Sequence, residues 1–411
     1  VETTQLETIE SMVEVFGEDA EVLQMAGERA YDLGTVDTHI GDYMKIVISC
    51  FEKVLQLTDG QNSGPEYLKA QNYLGTAYWS LSSVQDTYAN SLKAISYFNE
   101  VLKFTSIESH PFEAAKIKNK VGNAYTIFAQ LENTESNCNT AIEAYDEALK
   151  VFLPGKYPLD YSRTKNNLGG AYLLLAESKD KVQNYKNAID SFNEAIRVTT
   201  IADNPKFFAL TKNNIANTYA RLSDLENTES NLLQAIDAYN DVLKIQTLEK
   251  APLQYGLTMN NIGNAYSMLA LVKDKKANID KAIYSFEEAL KVRLPEQVPL
   301  QYANTMFNMG DAYLALGTEE SDPDLVARSI EHMEESKKFR TAAEYPLQYA
   351  EVCTGLGKAY IKLAEFEDKT ENYHKAIAAF DEALKVYTEQ DFPEDHAFIM
   401  EEISKAKKIF F

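Results

Sequence analysis

Cysteine is scarce in this chain of 411 residues: Cys50, Cys138 and Cys353 are scattered, odd in number and lack paired spacing. That excludes a disulfide framework or a zinc knuckle, and the three are read as small buried hydrophobes. The five histidines, His39, His110, His332, His374 and His396, are equally dispersed, so no metal or catalytic cluster is expected. Basic residues are outnumbered, 40 against 62 acidic, for a net charge of −22. This argues against nucleic acid and anionic membranes as partners and favours basic or neutral ones. No apolar run approaches the ~20 residues of a membrane span, and the opening Val1-Glu2-Thr3-Thr4 is unlike a signal peptide. The expectation is a soluble, cytoplasmic chain, and a start at Val1 without Met is read as a trimmed chain or a piece of a longer protein. A glycine-rich phosphate loop, a Ser/Cys/His constellation and HExxH spacing are all missing, so no enzyme and no cofactor is expected.

What is present is repetition. Gly75, Gly122, Gly169, Gly263, Gly310 and Gly357 fall on a strict 47-residue grid, whose node at 216 is filled by Ala216. An aliphatic residue precedes each glycine. Tyrosine stands three positions later, from Tyr31 and Tyr78 through Tyr125, Tyr172, Tyr219, Tyr266 and Tyr313 to Tyr360. Eight copies without an insertion between these anchors describe one supersecondary unit, stacked into an elongated domain.

Within a unit, Pro252 opens a proline-free segment running to about Leu271, a first helix. Pro111, Pro158, Pro205, Pro299, Pro346 and Pro393 hold the same place; proline suits a first turn because its missing N–H has no intrahelical partner there. A polar stretch leads to Asn278, repeated as Asn90, Asn137, Asn184, Asn231 and Asn372, and read as the N-cap of a second helix. That helix carries Ala282, Phe286 and Ala289 on one face. Its large residue recurs as Phe51, Phe98, Tyr145, Phe192, Tyr239, Met333 and Phe380. Glycine inside a helix costs about 1 kcal/mol against alanine, so six of them imply close packing beside those rings.

The order Leu-Gly-x-x-Tyr, then Ala-x-x-x-Phe-x-x-Ala, then Pro, resembles the tetratricopeptide repeat over nearly the whole chain, with 47 residues in place of about 34. The resemblance implies an all-α, right-handed α-solenoid (superhelix) of about eight helix-turn-helix repeats plus a C-terminal capping helix. On the grid, 1–20 form a lead-in, 21–64 an atypical first repeat with Glu28 where Gly is expected, 65–392 seven regular repeats, and 393–411 the cap. The sixth full repeat, roughly 301–346, departs most, with Ser329, Met333, Ser336 and Asp322-Pro323, and local distortion is expected there. The terminal Ile409-Phe410-Phe411 is read as tucking back or contacting another molecule.

Asparagine precedes the aliphatic-Gly pair at Asn72, Asn119, Asn166, Asn213 and Asn260, and follows the grid node at Asn123, Asn217 and Asn264. The two positions are i and i+4, one helical face, which the resemblance places on the concave surface. A file of amides suits an extended peptide, since each offers a donor and an acceptor to a backbone. Two other readings stay open: ties between adjacent first helices, or a hydrated face. Lys69, Lys116 and Arg163, each six residues before its glycine, and Lys120 add positive charge in the N-terminal half, while Asp311 and Glu351 follow later on the same face. A ligand basic at one end and acidic at the other would suit that polarity, as against ordinary surface charge. The resemblance does not extend to the chaperone-tail clamp, because Tyr73, Met25 and Arg29 stand at its remaining positions. The favoured expectation is a non-enzymatic scaffold for a protein or peptide partner. A regulatory ligand-sensing module of a larger protein, or a scaffold self-associating through its terminal repeats, are the alternatives.

Overall fold

A computed structural model describes residues 2–15, 17–34, 40–58 and 64–410. Among them lie eighteen helices and no strand. A leading α1 (Glu2–Val15) is followed by eight consecutive helix pairs. These are α2 (Ala20–Gly34) with α3 (Ile40–Leu57), α4 (Pro65–Ser82) with α5 (Thr87–Leu102), α6 (Pro111–Phe128) with α7 (Thr134–Leu149), and α8 (Pro158–Leu175) with α9 (Lys181–Val198). Then come α10 (Pro205–Ser223) with α11 (Thr228–Leu243), α12 (Pro252–Leu269) with α13 (Lys275–Leu290), α14 (Pro299–Glu320) with α15 (Pro323–Lys337), α16 (Pro346–Leu363) with α17 (Lys369–Leu384), and a last α18 (Pro393–Phe410). The chain divides into two compact units, Val1–Thr211 and Lys212–Phe411, with α10 crossing the division. Within each unit the helices pack as successive antiparallel-style hairpins of an all-α repeat fold.

The expected proline starts are observed: every first helix from α4 onward opens on proline. The second helices begin differently from expectation. Asn278 and its counterparts are not N-caps; they sit four residues into the helix, buried. The residue before each helix is Asp86, Asn133, Asp180, Asn227, Asp274 or Asp368, with φ between 40° and 49° and no side-chain cap. Asp and Asn tolerate this left-handed conformation better than other non-glycine residues. The asparagine then reaches backwards: Asn278 Nδ2 donates to the Lys273 carbonyl at 2.7 Å, as Asn90 does to Gln85 and Asn372 to Glu367. It pins the turn to the helix from inside.

The core is built by glycine against ring. A Cβ at Gly75 would lie 2.6 Å from Phe98, at Gly169 2.6 Å from Phe192, and at Gly122 2.5 Å from Tyr145. Those rings are fully buried. The first pair keeps the device with its glycine one step early: Gly27, not position 28, faces Phe51, at 2.8 Å. Glu28 turns outward and pairs with Lys69 at 2.5 Å.

The sixth full repeat is distorted as expected. α14 runs 22 residues where α12 has 18. The left-handed residue becomes Ser321, and Asp322 caps α15 conventionally, its Oδ1 accepting from Asp324 N at 2.9 Å. Gly310 meets flexible Met333 in place of a ring. At the C-terminal end α18 buries Ile399 and Ile403 against the cluster of Ala350, Cys353, Phe380 and Ala383, and Ala406 is buried as well. The side chains of Ile409 and Phe410, together with Phe411 and His39, lie outside the described residues. All three cysteines are buried and unpaired, and burial pushes the Cys50 and Cys138 thiols up to about 11, so they act as small apolar residues.

Candidate functional site

The asparagine columns sit on the first helices, where successive repeats meet, and most of their carbonyl oxygens are already engaged there. Asn123 Oδ1 accepts from Asn167 Nδ2 at 2.9 Å and from the Tyr145 hydroxyl at 2.8 Å. Asn264 Oδ1 accepts from Asn308 Nδ2 at 2.9 Å, and Asn260 Oδ1 from Thr305 at 3.0 Å. Asn166 accepts from Thr211 at 3.1 Å, and Asn217 from Tyr239 at 2.5 Å. The Asn119 carbonyl oxygen is buried with no hydrogen bond, as is the Thr164 hydroxyl one repeat on. Four of these bonds join residues 44 or 45 apart in sequence, hence neighbouring first helices. The partners form a threonine column (Thr164, Thr211, Thr258, Thr305) and a second asparagine column (Asn167, Asn214, Asn261, Asn308), both on the 47-residue grid of the sequence. Asn213 is half-buried.

Between α4 and α6 the pattern changes. Lys120 occupies the place held by Asn167 in the next repeat, and its Nζ donates to Asn72 Oδ1 at 2.7 Å and Thr76 Oγ1 at 2.8 Å. Beside it opens a cleft of about 640 Å³ lined by residues of α4, α5 and α6 and the loop between the last two. Leu68, Val101, Phe104 and Ile117 supply its apolar wall, and Lys69, Asn72, Lys116 and Lys120 its polar side, with His110 and Glu113 at the loop end. Four of the twelve site residues expected from sequence therefore converge there. Lys116 is exposed, its Nζ 4.2 Å from the centre of the Phe112 ring. Among the described residues Lys120 has no carboxylate partner, and burial, helped by the like charge of Lys116 one turn away, pulls its pKa down to about 8. Arg163 is exposed and does not line this cleft.

Two stretches of the chain, 169–199 and 357–389, match the tetratricopeptide repeat family model. The chain carries tetratricopeptide repeats. No curated protein matches it in sequence. Similar solved structures include the C-terminal part of a tetratricopeptide repeat-containing protein from Cytophaga hutchinsonii, at 15% identity, 75% of this chain, 95% of that one and a TM-score of 0.45. The apo form of RapI gives 13%, 94%, 98% and 0.46. A Rap protein complexed with competence and sporulation factor gives 14%, 95%, 99% and 0.37.

In the second unit the tetratricopeptide hairpins carry a different charged group. Arg340, on the grid with Arg293, lies over Phe307, donates to Glu351 at 3.2 Å, and also bonds Asn304. Arg293 is buried on Thr305, at 2.8 Å. Neither arginine was singled out by sequence, although both follow a second helix at the same offset. Asp311 is open to solvent yet crowded by protein, which pushes its carboxyl up to about 6 against the pull of Lys358. Among the described residues no group of three or more His, Cys, Asp and Glu side chains forms a metal cage, and no helix is long and apolar enough to cross a membrane.

Proposed function

We propose that this tetratricopeptide-repeat chain is a protein-interaction scaffold whose first unit seats an extended acidic segment of a partner across the cleft of α4, α5 and α6. The observation that carries this reading is the meeting of Lys69, Lys116, Lys120 and Asn72 around one apolar-walled opening, on a chain whose net charge is −22. Lys116 and Lys120 put positive charge at one place on an acidic protein, and such a local charge steers one class of partner there. Asn119, Asn123 and Asn166 continue the same column, but with carbonyl oxygens of Asn123 and Asn166 engaged between helices, it is amide N–H groups that would meet a peptide backbone. Phe104 and Leu68 give an apolar side chain of the partner somewhere to go, which sets selectivity beyond charge.

Display selection with a random peptide library tests it. Enrichment of acidic peptides carrying an apolar residue is expected on the native chain, and its loss on K69E/K116E. Equal enrichment on both proteins, or none of acidic sequences, contradicts the reading.

A further inference from the structure

Lys120 is unusual among the lysines of this chain. Many of the others are paired: Lys69 with Glu28, Lys165 with Glu194, Lys212 with Asp241, Lys273 with Glu229. Lys120 instead holds two neutral oxygens, is half-buried, faces a cleft, and has a second ammonium one helical turn away. Desolvation and a neighbouring cation are the two devices that turn a lysine into a nucleophile, because both favour the neutral amine. The cleft, about 640 Å³, has the size of a small-molecule pocket and the mixed wall of one.

We propose that Lys120 is a reactive amine whose Nζ forms a reversible imine with a small carbonyl compound bearing an anionic group, seated between α4, α5 and α6. The lone pair of the neutral amine attacks the carbonyl carbon, the C–N bond forms as the C=O π bond opens, and one Nζ proton passes to the oxygen to give the carbinolamine. Loss of the hydroxyl with the second Nζ proton, as one water, then leaves the C=N bond. Nothing is oxidised or reduced. Lys116 would hold the anionic group, and Leu68, Val101, Phe104 and Ile117 the body of the compound. Asn72 and Thr76 fix the Nζ position beforehand. This site stands whether or not a partner peptide uses the cleft.

Pyridoxal 5′-phosphate at limiting concentration, borohydride trapping and peptide mapping of the native chain decide it. Trapped label is expected at one lysine, Lys120, about tenfold faster than at exposed lysines, and several-fold slower with pyridoxal, which lacks the phosphate. K120R keeps the charge and the donors and is expected to remove that label while the melting temperature stays unchanged. Label spread over exposed lysines with Lys120 unmodified, or an unchanged map in K120R, overturns the proposal. Equal rates with pyridoxal and its phosphate overturn the anionic requirement.

Discussion

The seam between α12 and α14 and the seam between α4 and α6 use the same grid positions for opposite ends. In the first, the amides and a hydroxyl close on one another, Asn260 with Thr305 at 3.0 Å and Asn264 with Asn308 at 2.9 Å, and the cation there, Arg293, is buried on Thr305. In the second, an ammonium replaces the amide, reaches Asn72 and Thr76, and leaves a lysine-lined cleft beside it. Geometry is shared and chemistry is not. The stacking device is constant, and the column of Asn167, Asn214, Asn261 and Asn308 gives way to Lys120 beside the cleft.

Breaking what the two seams share has the largest effect. Gly75→Ala and Gly169→Ala each force a methyl to 2.6 Å from a fully buried ring. A net loss of about 1–3 kcal/mol is expected in denaturant unfolding despite the gain in helix propensity. A similar loss at both sites says the packing device is common; no loss at either says the rings have room.

Exchanging the residue that differs comes next. Lys120 has a folded pKa of about 8, below its ordinary 10.5, so the folded state binds fewer protons than the unfolded one between those values. The penalty of burying its charge is therefore complete below pH 8 and fades as pH rises towards 10.5. K120N is expected to be more stable than the native chain by about 1–3 kcal/mol near neutral pH, a gap that narrows in alkali. A gap that is constant with pH contradicts the depressed pKa.

Asn264→Ala removes one inter-repeat bond at the seam of α12 and α14 and is expected to cost about 1 kcal/mol in thermal unfolding. The smallest effect belongs to Lys275→Gln, which breaks an exposed ion pair with Glu319 and is expected to cost about 0.5 kcal/mol or less, vanishing in high salt.

Helix pairing, the proline starts and glycine-against-ring packing were all legible in the 47-residue spacing, because each depends on local geometry and on residue size. The starts of the second helices were misread for a physical reason. Asparagine is both a good N-cap and a good internal tie, and only the left-handed column of Asp86, Asn133, Asp180, Asn227, Asp274 and Asp368 separates the two. That column was on the grid, four residues before the asparagine. The lysines and asparagines expected at the site were the right residues to inspect, but sequence could not tell that the asparagine oxygens would be consumed between helices. It also could not show the α5 wall of the cleft, Val101 and Phe104, since those residues come from the second helix and the turn after it. Arg293 and Arg340 were missed because they lie outside the motif that drew attention to the repeat.

The central claim is that the seam of α4 and α6 is a binding place and the seam of α12 and α14 is not. Fluorescence anisotropy of acidic peptides obtained by selection on the native chain tests it most directly, with K116E/K120N compared against N260A/N264A. Binding weakened by about tenfold or more in the first variant and unchanged in the second is the expected result; equal weakening in both, or loss only in the second, contradicts it.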